Sequence, residues 1–231
     1  MKAQVPRLEN FVTGRYGILL ITLVLLMLLQ PTVETTIGKY LLETMFIVTL
    51  LAGLRAIEVG KGLLRFEIFI LAISLGLNIA GGLLSGYETL FFIGIAGRAL
   101  FMILVAMTIL FDLFRRRKVS GDSLAGAVCI YLMIAVIWGY FFLLVEFLVP
   151  GSFSFTEEGK AMALWSARDF YPFMYFSLIT MTTVGFGDML PLTTAARTLT
   201  TLEAIIGQVY LTILVARLVG MYLVSQQNSN E

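Results

Sequence analysis

Histidine is absent from this chain of 231 residues, and its single cysteine, Cys129, lies inside an apolar run. Without histidine there is no imidazole catalysis, no imidazole metal ligation and no histidine pH switch. One cysteine permits neither an intrachain disulfide nor a cluster of thiolate ligands. Charge is scarce too: 13% of residues are charged and 59% are hydrophobic, whereas a soluble domain has roughly a quarter charged. The net charge of +1 makes no general case for nucleic acid or acidic partners. No internal repeat or low-complexity segment is found, and the loops are short, with no converging nucleophile, base and metal set, which argues against an enzyme. The first apolar run reaches Gln30 and Pro31 without a small-residue cleavage pattern, so it is expected to remain as a membrane span.

The chain has long apolar runs in place of those features. Crossing the hydrocarbon core takes about 20 apolar residues in a helix, and backbone polar groups cannot stay unpaired in lipid. Residues 11–29, 38–57, 66–84, 88–111, 124–149 and 195–224 qualify. Residues 171–183 are apolar but too short to span; Pro172 suits a first helical turn, and Asp169 or Ser166 is a candidate cap. A short re-entrant helix is expected there. Lys2, Arg7 and Arg15, then Arg55, Lys61 and Arg65, then Arg115, Arg116, Arg117 and Lys118 sit on one set of loops; Lys39, Lys160 and Arg168 are on the other. That bias places both termini in the cytoplasm and the re-entrant segment outward. The basic block is read as a topology anchor, with anionic lipid binding as the alternative.

The expected organisation is an all-α membrane protein of six helices: a cytoplasmic N-terminus at 1–15, a four-helix unit at 16–114, a basic linker at 115–123, a two-span unit at 124–225 and a short cytoplasmic tail at 226–231. In the two-span unit, Thr182, Thr183, Val184, Gly185, Phe186, Gly187 and Asp188 read TTVGFGD. Glycine reaches backbone angles closed to other residues. Alternating such angles with ordinary ones turns successive carbonyls to one side, and four copies around an axis would stack rings of oxygen that replace the water around a cation. Thr183 would add a hydroxyl ring, while Val184 and Phe186 are expected to point outward and pack against the short helix. The helix ending near Thr183 would aim its partly negative end at the cavity below.

TTVGFGD resembles the selectivity-filter signature of the potassium-channel superfamily, and the similarity runs through a span, a re-entrant helix, the filter, Pro191 and a final span. The resemblance implies a homotetramer in the plasma membrane, in contact with lipid. It also implies potassium ions held by Thr183, Val184, Gly185, Phe186 and Gly187, with no other cofactor. Two departures stand out: Phe186 replaces the commoner tyrosine, and Ile179 is apolar where some relatives place a carboxylate. Tyr175 is therefore expected to donate to Asp188 and, with Thr182, to brace the filter. Gly207 is read either as a close-packing site or as a hinge of the inner helix.

Six spans with a pore between the last two resemble the voltage-gated branch, but Arg98 stands alone in the fourth span, with Phe92, Ile95, Phe101 and Leu104 at the neighbouring three-residue positions. One charge crossing the field supplies about 2.3 kcal/mol per 100 mV, and steep gating takes three or four per subunit. Strong voltage gating is not expected. Arg98 is assigned instead to an ion pair with Glu43 or Glu67, and Glu203 to a pair with Arg197 or a filter-side contact. Arg197 and Arg217 are otherwise read as snorkelling. The competing readings are a nonselective cation channel, a regulatory channel subunit and a subunit of a potassium transporter.

Overall fold

Each of the apolar runs forms a helix. The computed structural model describes residues 14–29, 36–56, 61–83, 88–115, 121–155 and 170–230. The elements are α1 (Arg15–Leu28), α2 (Thr36–Ala56), α3 (Lys61–Leu83), α4 (Glu88–Arg115), α5 (Gly121–Leu148), β1 (Phe153–Phe155), α6 (Tyr171–Met181), β2 (Met189–Pro191) and α7 (Thr194–Asn230). Several helices outrun their apolar stretch. α3 begins at Lys61 rather than at 66, and α7 continues past 224 to Asn230 because no Gly or Pro intervenes to stop it. Among the described residues, Thr89–Arg115 and Gly121–Leu148 are long and apolar enough to cross a membrane by length and composition.

The chain is mostly helical, as expected, with one small ribbon of β1 and β2. The strands are antiparallel, pairing Phe153 with Pro191, Ser154 with Leu190 and Phe155 with Met189. Glu146 accepts from Gly151 N (2.8 Å) and Phe153 N (3.0 Å), closing the turn after α5. Leu192 N donates to Ser152 O at 2.8 Å. Thr193 then caps α7, its Oγ1 accepting from Ala196 N at 3.3 Å.

Two compact units are distinguished, one of residues 1–64, 104–133 and 211–231, the other of residues 65–103 and 134–210. In the first, α1 buries Tyr16, Leu19, Leu23 and Leu26, one stripe at helical spacing, and exposes Ile18, Ile21, Val24, Leu25 and Leu28. Tyr16 is the knot of this unit: its N donates to Asp122 Oδ1 (3.0 Å), its hydroxyl to Asp112 Oδ2 (2.6 Å), and its carbonyl accepts from Cys129 Sγ (3.5 Å). Arg217 is held at the end of α4. Its guanidinium donates to Leu113 O at the end of α4 and lies over the Phe114 ring, 4.7 Å from the centroid, a site favoured by the carbonyl-rich helix end.

In the second unit, Phe142, Phe153, Phe173 and Phe176 meet edge-on at centroid distances of 5.2 to 5.5 Å, joining α5, β1 and α6. α5 and α6 come close at Gly139, where an added Cβ would stand 3.0 Å from Met174 Cα and 3.1 Å from Met174 N. Gly139→Ala is expected to lower the thermal unfolding midpoint of the purified protein, because main-chain atoms cannot swing aside and such overpacking costs about 1–3 kcal/mol. Gly62→Ala, where an added methyl meets nothing within 4 Å, is the control that leaves the midpoint where it is or raises it.

Candidate functional site

α6 has 11 residues, about 16 Å at helical rise, half the thickness of a hydrocarbon core. Pro172 falls in its first turn, where its missing N–H costs nothing. The cap position is Phe170, which makes no side-chain capping bond; Ser166 and Asp169 lie outside the described residues, as do Arg116, Arg117, Lys118 and the stretch 156–169.

The end of α6 is held by the chain that follows it. Leu178 O accepts from Thr182 N (3.0 Å) and Thr182 Oγ1 (2.6 Å), and Thr180 O accepts from Thr183 N (3.0 Å). Ile179 O accepts twice, from Val184 N at 2.9 Å and Gly185 N at 3.2 Å. Gln208 Nε2 reaches from α7 to Met181 O at 3.0 Å. All the carbonyls that a helix end leaves unpaired are thus occupied.

Beyond this point the backbone turns left-handed at every second residue: φ is +60° at Thr183, +53° at Gly185 and +78° at Gly187. Glycine takes such angles freely, but a β-branched residue does so only under constraint, at about 1–3 kcal/mol. Residues 182–187 are exposed in the single chain. Val184 (51%) and Phe186 (71%) therefore do not pack against α6 as expected. Both side chains stand largely uncovered by the described residues of the same chain.

Tyr175 and Asp188 are brought together: the phenol donates to Asp188 Oδ2 at 2.7 Å, and Asp188 Oδ1 accepts from Met189 N at 3.1 Å. On the other face of α6, the Ser177 hydroxyl lies 2.7 Å from Ala135 O of α5 and in short contact with Glu203 Oε1 of α7. Gly207 faces Met181, whose Cγ would be 3.2 Å from an added Cβ, which is close packing.

Two expected ion pairs do not form. Arg197 turns its Nε to Pro191 O at 3.1 Å, and Glu203 is bound to Ser177 instead. Glu67 is fully buried, but neither carboxylate oxygen has a hydrogen bond among the described residues, so it does not pair with Arg98. Register is the reason. Gly97 packs on Ser74, which puts Arg98 level with residue 73 across the α3–α4 hairpin; Glu67 is six residues further on, about 9 Å along the axis. The Glu43 side chain lies outside the described residues. Ser177, Gln208, Thr193 and Gly139 escaped the sequence reading; for Gln208 the signal was there, an amide in the middle of an apolar helix.

Burial, the bond to Asp188 and the charge of Asp188 push the Tyr175 phenol up from 10.0 to about 12. A pKa raised on folding means that the stabilisation from this bond is complete below pH 10.0 and is lost as pH rises through about 12. An absorbance titration of the tyrosinate band is expected to show a late-titrating phenol that disappears in Tyr175→Phe. Superimposable curves would mean that the hydroxyl is not held in this bond.

Comparison with known proteins adds one match: the family model described as "Ion channel" covers residues 127–224. That stretch takes in nearly all of α5, then β1, α6, the TTVGFGD segment, β2 and most of α7. No curated protein and no solved structure matches the chain. Residues 127–224 are thus similar to an ion channel, which points to a non-enzymatic channel protein, and the two long apolar helices are in keeping with a membrane protein.

Proposed function

We propose that this protein is a potassium-selective channel in which four copies surround one pore, each contributing residues 182–188. The observation that carries this reading is the left-handed backbone at Thr183, Gly185 and Gly187, directly after a short helix whose end is fully occupied. Alternation of this kind turns consecutive carbonyls the same way, so Thr183, Val184, Gly185, Phe186 and Gly187, with the Thr183 hydroxyl, would supply rings of oxygen to a dehydrated potassium ion. Exposed Val184 and Phe186 fit the same reading, since neighbouring copies would cover them. Thr182, Tyr175 and Asp188 brace the segment from behind. Ions pass down their electrochemical gradient with no chemical step, and no cofactor takes part.

The six apolar helices α1 to α5 and α7 are read as spans, with α6 re-entrant from outside and both termini in the cytoplasm of a plasma-membrane protein in contact with lipid. Support comes from apolar residues exposed on faces such as Ile18, Ile21 and Leu28 of α1 or Ile205, Val209 and Ile213 of α7. Arg98 is buried within its unit and has apolar neighbours at the three-residue positions, so strong voltage gating is not part of the proposal. Gly207 in contact with Met181 serves packing; a hinge there would also have to release that contact.

Planar-bilayer recording of the purified protein, with potassium on one side and sodium on the other, tests the reading. The expected reversal lies near the potassium equilibrium potential, with shallow voltage dependence. A reversal near zero would establish a nonselective cation channel, and steep activation would restore a voltage sensor. Gly185→Ala is expected to abolish selective conduction: nothing lies within 4 Å of the added methyl, but a side chain at φ +53° costs about 1–2 kcal/mol in every subunit.

A further inference from the structure

The Ser177 hydroxyl has one proton and two oxygens within bonding reach, Ala135 O at 2.7 Å and Glu203 Oε1. A hydroxyl donates once and can accept as well. If Glu203 were ionised, both neighbours would be pure acceptors, and one of the two contacts would set oxygen against oxygen with no hydrogen between them. Glu203 is fully buried, Ser177 is its partner, and its Oε2 has no hydrogen bond among the described residues. A buried carboxylate with one oxygen unpaired is far costlier than a neutral acid whose carbonyl oxygen lacks a bond.

We propose that Glu203 is a positioning residue of the pore, held as the neutral acid: its Oε1–H donates to Ser177 Oγ, and Ser177 Oγ–H donates to Ala135 O. Every proton in the chain then has one donor and one acceptor. The carbonyl of Ala135 can accept this bond beside its helical one, since it has two lone pairs. The result is a single line of hydrogen bonds from α7 through α6 to α5. Ser177 is two residues from Ile179, whose carbonyl holds Val184 N and Gly185 N, so the line fixes the part of α6 that sets the filter backbone. Loss of the Glu203 proton would break one of the two bonds and leave Ser177 tied on one side only.

The other charged and titratable groups with known partners on these helices look elsewhere. Glu146 accepts from Gly151 N and Phe153 N, Tyr175 donates to Asp188, and Arg197 donates to Pro191 O. No cation from the described part of α5, α6 or α7 is bonded to Glu203, so nothing there favours the ionised form.

The proposal rests on the potassium-channel reading for its consequence, but not for its chemistry, and two measurements separate them. Infrared spectroscopy of the full chain in lipid bilayers at neutral pH is expected to show a protonated-carboxyl C=O band that is lost in Glu203→Gln. No loss of such a band overturns the proposal, whatever the channel conducts. In bilayer recordings, the potassium-to-sodium permeability ratio of the unaltered protein is expected to fall as pH is raised. Glu203→Gln, whose amide N–H can still donate to Ser177, should keep a high ratio and lose the pH dependence. Ser177→Ala and Glu203→Ala should lower the ratio roughly tenfold, about 1.4 kcal/mol. A Glu203→Gln channel as impaired as Glu203→Ala, or a Ser177→Ala channel like the unaltered protein, overturns the positioning role. A reversal near zero in the unaltered protein removes the selectivity reading and leaves the infrared result standing.

Discussion

Residues 182–188 form neither a helix nor a strand, so their backbone depends on the carbonyls of the last turn of α6. Ile179 O alone takes two amides, Val184 N and Gly185 N, while Leu178 O and Thr180 O hold Thr182 and Thr183. These bonds offset the strain of a threonine at φ +60°: each is worth about 0.5–1.5 kcal/mol net, against about 1–3 kcal/mol for the left-handed conformation. The amides of residues 182–185 thus point to α6.

The same economy governs α6 itself. It is too short to span and has apolar neighbours, so its position comes from a few bonds and one aromatic cluster. Phe173 and Phe176 lock into Phe142 and Phe153, Gly139 lets α5 come within main-chain contact, Ser177 ties to Ala135 and Glu203, and Gln208 ties Met181 to α7. In low-dielectric surroundings such polar links are strong when complete and costly when partial. Tyr175 to Asp188 does the same work at the far end of the segment.

Charge is sparse in this chain, and several charged groups take neutral partners. Arg217 uses the carbonyl end of α4, Tyr16 gathers Asp112 and Asp122, and Arg197 uses Pro191 O. Glu67 is the exception among the described carboxylates: buried, with both oxygens unbonded. An antiparallel hairpin fixes which residues lie level, and the contact of Gly97 with Ser74 leaves Glu67 below the reach of Arg98.

Composition and the length of apolar runs determined the helices, because hydropathy over about 20 residues is a one-dimensional property. The shortness of residues 171–183, Pro172 and the alternating glycines likewise marked α6 and the segment after it without reference to anything distant. The bond from Tyr175 to Asp188 was legible too, since the two residues flank a segment of known direction. What no linear reading could supply were rotation and register. These placed Glu203 on Ser177 rather than on Arg197, separated Glu67 from Arg98, brought Gln208 to Met181 and paired β1 with β2. The left-handed turn at Thr183 belongs with them: its residue type argues against that angle, and only the carbonyls of α6 and the chain packed around them hold it there.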